Sequence, residues 1–571
     1  MLRGSSVISY AVSCGLSVCL WVLPAIAQTG AVDGEWRTYG GDLGSTRYAA
    51  LDQVTAENFN DLEMVWRFNT ANLGPNPDFN YQVTPLMVDG VLYATAGSRR
   101  NAVALDAATG EILWVYRLDE GERGANAIRR MSGRGVAYWT DGQGDDRIFL
   151  VTIGYQLVAL DAATGRPIQE FGDDGVVDLK ANNDQFIDPL TGEIGWNGAP
   201  LVARDVVVIG AAHRAGSAPP SRENVKGYIR GFDVRTGERK WIFHTIPQSG
   251  EFGRDTWLND SAVYTGNTGV WTNLTVDEEL GIAYLPIEIP TGDYYGGHRP
   301  GDNLFGESLV AVDLETGERT VVSDPTPRAN HTDAGITFLD SNTIMLASSL
   351  DREFKSLAFS YLDEPRIEFV DAADNAELEG LKSCGENIIF SINEDGFSRL
   401  VHQDSEGVPK SYPELPRGVY STDCSDDNLL VRVSSSEIPG DLYLIDLVSG
   451  DVNQVFVSEY EGLNKDDLIA PEPVSLTASD GVEIHGLLYL PKDTPNPPVV
   501  FDVHGGPTAQ SRPSWDGPVQ YLLSRGIAVF KPNVRGSTGF GRTYVTLDDQ
   551  RKRLDSVRDL VDMLDWLEED G

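Results

Sequence analysis

The chain has 571 residues, and its 41% hydrophobic and 9% aromatic content is that of an ordinary globular protein. This length accommodates roughly two to four domains with large buried cores. Its charge is unusual, because 45 Lys and Arg residues against 86 Asp and Glu residues leave a formal net charge of -41. A field of that sign repels phosphate backbones, which excludes nucleic acid as a partner.

The first 27 residues are predicted to be a cleavable signal peptide. Arg3 supplies the positive start, residues 7–24 are mostly apolar, and Ala-Ile-Ala at 25–27 has the pattern of a cleavage site. A membrane anchor is the alternative, but polar residues interrupt the apolar run, and no later stretch reaches the ~18 apolar residues of a span. We therefore expect a periplasmic or secreted protein without a membrane span after cleavage. Cys384 and Cys424 then remain, and both a disulfide bond and two buried free thiols are open.

A strand–turn–strand repeat runs through the first 320 residues. Its copies begin at Ala104, Ala159, Gly231 and Ala311, and each contains an Asp-x-x-Thr-Gly turn. The Asp and Thr side chains bond the turn backbone, the glycine takes a positive φ, and a following tryptophan packs between sheets. Such units predict a β-propeller of four-stranded blades.

The repeat stops near residue 320. The fourth copy lacks its tryptophan, and nine of the 11 tryptophans lie at or before Trp271. From about 330 to 465, short alternating strands with polar turns indicate further, Trp-poor blades. From about 470, strands alternate with helices, which predicts a parallel α/β sheet. We therefore predict four segments: a signal peptide over 1–27, a propeller segment over 28–320, a second propeller-like segment over 321–467 and a partial α/β domain over 468–571.

The first 320 residues resemble the pyrroloquinoline quinone (PQQ)-dependent dehydrogenases, which are eight-bladed quinoproteins that oxidise sugars and alcohols. The similarity lies in the repeats and in the motifs Trp-Arg-Thr-Tyr-Gly-Gly at 36–41, Arg-Gly-Val-Ala-Tyr-Trp at 134–139 and Arg-Pro-Gly-Asp-Asn at 299–303. It implies PQQ and Ca²⁺ as cofactors, a small sugar or alcohol as the substrate, and a quinone or cytochrome as the electron acceptor.

The resemblance also implies roles for individual residues. Trp271 is the floor on which the quinone stacks, Arg134 pairs with a cofactor carboxylate, and Gln82 and Thr152 are polar contacts. Glu288 lies near the metal-ligand position of the family. Judged from the residues alone, three ordinary roles stay open: Trp271 in a blade core, Arg134 in a surface ion pair and Glu288 in a solvated turn.

The chain departs from this family at several positions. Ile128 and Arg129 stand where the family often has adjacent cysteines, and the ligand glutamate expected after the strand at Gly210 has no clear counterpart. The His-Asp-x-Trp-Asp stretch, which carries the base that takes the substrate proton, is absent after the fourth repeat, and neither His331 nor Asp333 aligns with it. We expect cofactor binding to persist and dehydrogenase turnover to be impaired.

Residues from about 330 resemble the prolyl oligopeptidase (S9) family of serine peptidases, in which a propeller precedes an α/β-hydrolase domain. The similarity lies in His-Gly-Gly-Pro at 504–507, in residues 533–542 and in residues 555–567. It implies Gly505 and Gly506 as backbone donors of an oxyanion hole. The Gly-x-Ser-x-Gly nucleophile elbow would follow beyond residue 571, and Ser537 is interpreted as a loop residue, so this chain alone is not expected to be a peptidase.

Overall, the sequence predicts a mainly β protein in which quinoprotein-type propeller blades are followed by S9-type blades and a partial α/β-hydrolase domain. Three functions stay open: an impaired PQQ-dependent oxidoreductase, an S9-type serine hydrolase fragment acting on peptides, and a non-catalytic propeller scaffold. The broken repeat coincides with a change of composition near residue 320. A chimera of two unrelated reading frames, joined by recombination or by an assembly error, is therefore also open.

Overall fold

The structure is a computed structural model, and it describes residues 30–569 with these exceptions: 32–33, 56, 75–77, 79, 215–220, 293–294, 321–334, 340–341, 362–365, 371–375, 406, 412, 426, 461 and 507. The chain divides into two compact units, residues 1–320 and 321–571. The predicted signal peptide, His331 and Asp333 lie outside the described residues. No helix in the described ranges is long and apolar enough to cross a membrane.

The N-terminal unit contains four antiparallel sheets, each made of four strands that are consecutive in the chain. The first sheet comprises β1 (Leu86–Val88), β2 (Val91–Ala96), β3 (Asn101–Asp106) and β4 (Ile112–Tyr116). The second comprises β5 (Ala137–Thr140), β6 (Asp146–Val151), β7 (Gln156–Asp161) and β8 (Val176–Asp178). The third comprises β9 (Leu201–Ala203), β10 (Val206–Ile209), β11 (Ile229–Asp233) and β12 (Arg239–Phe243). The fourth comprises β13 (Thr275–Asp277), β14 (Ile282–Pro286), β15 (Leu309–Asp313) and β16 (Arg319–Thr320). Short helices α1 (Gly121–Ala125) and α2 (Ser261–Tyr264) lie in the connections. These sheets confirm the predicted propeller blades.

In the four repeat copies, the Asp-x-x-Thr-Gly sequence lies between the third and fourth strands of a sheet. In the first sheet, Asp106 Oδ1 accepts hydrogen bonds from the backbone N and the Oγ1 of Thr109, both at 2.8 Å. Gly110 closes this turn with a φ of +72°. The aspartates of the other three turns make the same pair of bonds. The carboxylate therefore satisfies turn N–H groups that no strand partner reaches.

In the first and third sheets, a tryptophan of the fourth strand connects the sheet to the turn of the next sheet. Trp114 Nε1 donates to the Ala162 carbonyl at 2.9 Å, and Trp241 Nε1 donates to the Leu314 carbonyl at 2.8 Å. A Cβ added to Gly165 would lie 2.5 Å from the Trp114 ring. The turn glycine therefore serves twice, because it supplies the positive φ and leaves room for an indole.

The C-terminal unit begins with three more antiparallel sheets of consecutive strands. The first comprises β17 (Ile336–Phe338), β18 (Thr343–Ser348), β19 (Ser356–Tyr361) and β20 (Ile367–Phe369). The second comprises β21 (Glu377–Cys384), β22 (Asn387–Glu394) and β23 (Phe397–Asp404). The third comprises β24 (Val419–Cys424), β25 (Asn428–Ser434), β26 (Asp441–Asp446) and β27 (Val452–Phe456). A disulfide bond joins Cys384 to Cys424, so the two cysteines are not free thiols.

The last sheet of this unit has the strand order β28 (Glu472–Thr477), β29 (Glu483–Tyr489), β31 (Ala528–Asn533), β30 (Val499–Phe501). Helices α3 (Gly517–Ser524), α4 (Arg542–Thr546) and α5 (Asp555–Glu569) accompany it. Only β30 and β31 are parallel among the described strands. The sheet is mixed rather than parallel, because the short loop between β28 and β29 permits only an antiparallel hairpin. Its edge strand β30 leaves Val499 and Val500 partly exposed.

Candidate functional site

The candidate residues of the N-terminal unit lie at one edge of its sheets, which we call the site edge. Gln82, Arg134 and Trp271 come three or four residues before the first strand of a sheet, at β1, β5 and β13. Thr152 directly follows β6, and Glu288 is the second residue after β14, so each of them follows the second strand of a sheet. The first and second strands of each sheet are antiparallel, so the start of one and the end of the other share an edge.

Arg134 and Trp271 are in contact at this edge. The Arg134 Cζ lies 5.3 Å from the centroid of the Trp271 ring, which is the geometry of a cation–π pair. Trp271 is 43% exposed, so it does not belong to a blade core. Arg134 is only 9% exposed and takes part in none of the ion pairs among the described residues. Trp271 is therefore not part of a blade core, and Arg134 is not part of a surface ion pair, which are the two ordinary roles that the sequence left open.

The Arg134 guanidinium has an unused donor. Its Nη1 is buried and has no hydrogen-bond partner within the described part of the chain. A buried donor without an acceptor costs about 1–3 kcal/mol, and more when the group is charged. An anionic acceptor of a ligand would remove that cost. The pair therefore presents an exposed aromatic face beside a cationic donor, which suits a flat ligand that carries a carboxylate.

Thr152 is buried in the turn that follows β6. Its Oγ1 donates to Glu120 Oε1 at 2.6 Å, and Glu120 Oε2 accepts from the Gly154 N–H at 2.8 Å. The Gln156 N–H in turn donates to Thr152 Oγ1 at 3.1 Å. The single hydroxyl proton is thus committed to Glu120. Thr152 shapes the loop after β6 and has no proton left for a ligand.

Gln82 is exposed, and its own segment runs beside Arg134. Two residues further on, the Thr84 N–H donates to the Arg134 carbonyl at 3.3 Å. The Gln82 side chain is therefore exposed on a segment that is hydrogen-bonded to the Arg134 backbone.

Glu288 is fixed next to the loop that carries Trp271, because its N–H donates to the Gly269 carbonyl at 2.8 Å. Ca²⁺ takes about six to eight oxygen ligands. The described residues contain no group of three or more His, Cys, Asp or Glu side chains arranged for a metal ion. Glu288 would therefore supply one carboxylate to Ca²⁺, and the remaining ligands would be amide, backbone-carbonyl or cofactor oxygens.

Asn267, which the sequence did not single out, organises the Trp271 loop. It has a φ of +55°, its Oδ1 accepts from the His213 N–H at 3.0 Å, and its Nδ2 donates to the Ile289 carbonyl at 3.0 Å. These bonds join the loops that follow β10 and β14 to the segment that precedes β13. Asn267 and Thr268 both have a positive φ. The dipeptide Asn-Thr does not reveal this conformation in the sequence, so the junction could not be predicted.

Three arginines concentrate positive charge at the site edge. Arg100 is 3% exposed, and burial lowers its pKa to about 10. Burial is the largest cause of this lowering, the charges of Arg129 and Arg134 contribute to it, and those of Glu120 and Asp78 oppose it. The three guanidinium groups therefore interact with one another and with two carboxylates, and three positive against two negative charges leave a small local excess of positive charge in a strongly acidic chain.

In the C-terminal unit, Gly505 and Gly506 are exposed, and Gly506 has a φ of +141°. Neither of their N–H groups donates to a protein acceptor among the described residues. His504 Nε2 lies 3.0 Å from Ser537 Oγ, and Ser537 has no exposed surface. A fully buried hydroxyl cannot reach a substrate, so this contact fits a structural role for both side chains.

Comparison with known proteins supports the first resemblance. Residues 36–320 match the family model described as PQQ, glucose/ethanol/alcohol dehydrogenase, β-propeller domain. The quinohemoprotein alcohol dehydrogenase of Comamonas testosteroni is 29% identical over 351 residues, which are 55% of this chain and 45% of that protein. The dehydrogenase subunit of the alcohol dehydrogenase (quinone) of Gluconacetobacter polyoxogenes is 31% identical over 307 residues, 50% of this chain and 37% of that protein. The chain spans less than half the length of both relatives.

A solved structure supports the second resemblance at the level of fold. It comes from a structural and mechanistic analysis of two prolyl endopeptidases, and it aligns with a TM-score of 0.50 at 12% identity. The alignment covers 85% of this chain and 65% of that chain. The resemblance to quinoprotein dehydrogenases and the mainly β fold class are thereby confirmed, and the likeness to the prolyl endopeptidase structure is one of fold alone.

Proposed function

Because the N-terminal unit matches the PQQ-type β-propeller of glucose, ethanol and alcohol dehydrogenases, we propose that it binds PQQ at the site edge, on Trp271 and Arg134. The contact between these two side chains carries the proposal. PQQ is a planar aromatic tricarboxylate, so its ring system matches the exposed indole face, and one carboxylate matches the free Nη1 of the guanidinium.

The charge distribution supports the same ligand. The formal net charge of -41 repels anions from most of the surface, whereas Arg100, Arg129 and Arg134 lie together at the site edge. A local cluster of this kind raises the concentration of a small anion where the charges converge. A tricarboxylate therefore finds one favourable region on the N-terminal unit.

We further propose that the bound cofactor supports slow oxidation of a small sugar or alcohol, with electrons passing to a quinone or cytochrome acceptor. PQQ supplies the two-electron acceptor when it is bound. Trp271 fixes the plane of the ring, and Arg134 fixes its orientation within that plane. The sequence lacks the family's His-Asp-x-Trp-Asp stretch, and losing a general base costs about 10²–10⁴-fold in rate. Glu288 would hold Ca²⁺ beside the cofactor, where the ion would act as a Lewis acid on a quinone carbonyl.

The location that we infer is the periplasm or the extracellular space. The disulfide bond between Cys384 and Cys424 supports this inference, because such bonds persist mainly in oxidising compartments. The signal-like pattern of residues 1–27 is its second support.

An S9-type serine hydrolase acting on peptides is the alternative, and the exposed amides of Gly505 and Gly506 favour it. Labelling with a fluorophosphonate tests this alternative. We expect no labelled serine, because Ser537 is buried against His504. A labelled serine would assign the hydrolase function to the chain.

The direct test of the oxidoreductase proposal is reconstitution of the purified chain with PQQ, with and without Ca²⁺. We expect the protein to retain the absorbance of PQQ and to reduce a dye slowly when a sugar or alcohol is added. Retention without substrate-dependent dye reduction would favour the non-catalytic scaffold instead. Loss of all PQQ on desalting would contradict the proposal itself.

A further inference from the structure

Arg100 is a buried arginine at the site edge, in the turn between β2 and β3. Its φ is +55°, and its backbone N–H donates to the Gly97 carbonyl at 2.9 Å. A non-glycine residue in the left-handed region is uncommon and needs support from its surroundings. That support comes from the side chain, because the residue is 3% exposed and its guanidinium is enclosed by main-chain carbonyls.

The guanidinium uses four of its five N–H donors on carbonyls that belong to three separate segments. The acceptors are the carbonyl oxygens of Met131 (from Nε, 3.1 Å), Arg129 (from Nη2, 3.2 Å), Val151 (from Nη1, 3.0 Å) and Trp196 (from Nη1, 2.5 Å). None of the ion pairs among the described residues includes Arg100. Its charge is therefore stabilised by oriented carbonyl dipoles rather than by a carboxylate in direct contact.

The first two segments adjoin residues of the site edge. Arg129 and Met131 lead into Arg134, and Val151 directly precedes the loop that begins with Thr152.

Trp196 reaches the Trp271 loop from the other side. A Cβ on Gly210 would lie 2.6 Å from the Trp196 ring and 2.5 Å from the Val270 carbonyl, which precedes Trp271. One guanidinium thus connects the segments on both sides of the Arg134–Trp271 contact.

Gly133 provides an independent observation. Its φ is +70°, and a Cβ added there would lie 2.9 Å from Arg100 Nε and 3.0 Å from Arg100 Cζ. The glycine therefore leaves the space that the guanidinium fills, immediately beside Arg134. The backbone conformation and the side-chain packing at this position depend on the same contact.

We propose that Arg100 is a positioning residue for the PQQ site, and that its guanidinium sets the distance between the Arg134 loop and the Trp271 loop. This inference rests on the proposed function. Arg100 donates to main-chain carbonyls of the site and not to the cofactor. Lysine at this position keeps the charge, but its ammonium cannot reproduce the planar geometry that spans three segments.

The test compares Arg100→Met and Arg100→Lys with the control Arg147→Met in the full chain. Arg147 is also a buried arginine that donates to two carbonyls, those of Val234 and Arg235, but it lies at the start of β6, away from the site edge. We would measure the affinity for PQQ, the melting temperature, and hydrogen exchange of segments 129–134 and 151–156 without PQQ.

We expect Arg100→Met to weaken PQQ binding by about tenfold or more, because small displacements of binding groups are costly. Arg100→Lys should weaken it by a smaller factor, and Arg147→Met should leave it nearly unchanged at a similar loss of melting temperature. Exchange in the two segments should rise in the Arg100 variants alone.

Equal losses of PQQ affinity in Arg100→Met and Arg147→Met would show a merely structural role and overturn the inference. Unchanged exchange in segments 129–134 and 151–156 would overturn it as well, whether or not PQQ binds. If wild-type protein binds no PQQ but exchange rises as expected, the proposed function fails while the positioning role of Arg100 stands.

Discussion

The environment of the Arg134 guanidinium destabilises the ligand-free protein and favours the binding of an anionic ligand. The guanidinium is buried, lies over the exposed ring of Trp271 and keeps one donor unused. A cation–π contact at a partly exposed site is worth only about 0.5–1 kcal/mol, which does not compensate for a buried, unsatisfied charged donor. The residue therefore costs stability in the free protein, and a bound carboxylate would recover that cost.

Replacing Arg134 with Gln tests this reasoning directly. A hydrogen bond to a charged group is worth about 1.5–3 kcal/mol, so the affinity for PQQ should fall about tenfold to a hundredfold. The melting temperature should stay the same or rise, because a buried charge is removed. Isothermal titration and thermal denaturation measure the two effects. Arg319→Gln is the control for the cation–π contact alone, because the exposed Arg319 lies 4.7 Å over the exposed ring of Phe252.

A buried ion network in the C-terminal unit gives a pH prediction. Arg535 bonds Asp480 at 2.7 Å and Asp559 at 2.6 Å. The hydrogen bond from Arg535 lowers the pKa of Asp480 from 3.8 to about 2. The folded pKa lies below the unfolded one, so this contribution to stability is complete above about pH 4 and is lost as the pH falls towards 2.

We therefore expect the urea midpoint of the C-terminal unit to fall between pH 4 and pH 2, and to fall less steeply in Asp480→Asn. Pulse proteolysis at a series of urea concentrations measures it. Glu459→Gln, at an exposed carboxylate, is the control and should keep the wild-type slope. An unchanged slope in Asp480→Asn would contradict the role of this carboxylate.

The motifs of the sequence identified Arg134 and Trp271, because both lie within short sequences shared with the quinoprotein dehydrogenases. They could not show that the two side chains touch, since 137 positions separate them and only the packing of the sheets brings them together. The role of Arg100 could not be predicted from the sequence. It is one of two adjacent arginines in a turn, and arginines in turns are ordinarily exposed. Its burial depends on carbonyls from segments distant in the chain.

At the scale of strands and turns, the packing of the Trp114 indole on the turn glycine Gly165 can be tested by substitution. Gly165 has a φ of +67°, and a Cβ there would lie 2.5 Å from the Trp114 ring. Gly142 has a φ of +70° and nothing within 4 Å of the same added atom. Both changes to Ala place an L-residue in the left-handed region, which costs about 1–2 kcal/mol. Gly165→Ala should cost about 1–3 kcal/mol more, because the indole must move. Urea denaturation of the two variants measures this difference, and equal losses would contradict the packing role.

The disulfide bond between β21 and β24 gives the second prediction at this scale. It connects cysteines 40 residues apart, and the loop-closure estimate for such a crosslink is about 4 kcal/mol. Cys384→Ser should lower the free energy of unfolding of the C-terminal unit by about 2–4 kcal/mol. A reductant should lower the wild type equally and leave the variant unchanged. Two titratable thiols in the denatured, unreduced mature protein would contradict the bond.

The strands that flank the repeated turns were predictable, because an Asp-x-x-Thr-Gly sequence specifies its own hydrogen bonds. The first two strands of each sheet carry no repeated motif, and their positions follow only from pairing with the third strand. Trp66 shows the same limit: its Nε1 donates to the Ala107 carbonyl, and its ring covers Gly110, yet it stands outside the four recognised copies. The mixed sheet around β29 was missed because alternating strands and helices do not reveal which neighbours are antiparallel.

At the scale of the whole molecule, the chain combines two units with different similarities. The match to the dehydrogenase model ends at residue 320, and the fold similarity to a prolyl endopeptidase structure extends over 85% of the chain. The unusual acidity extends over both units, since carboxylates outnumber basic residues along the chain. A sequencing read across the codons for residues 310–330 decides between a natural fusion and an assembly error. The N-terminal site lies wholly within the first unit, so its test does not depend on that outcome.

Equilibrium dialysis of the full chain against PQQ examines the central claim most directly. The wild type should retain PQQ, Trp271→Ala should retain about tenfold less at the same free concentration, and Phe252→Ala should behave like the wild type. Phe252 is the matched control because its ring is equally exposed and also lies under an arginine. If the wild type retains no PQQ, or if both variants lose it equally, Trp271 and Arg134 do not form a quinone site.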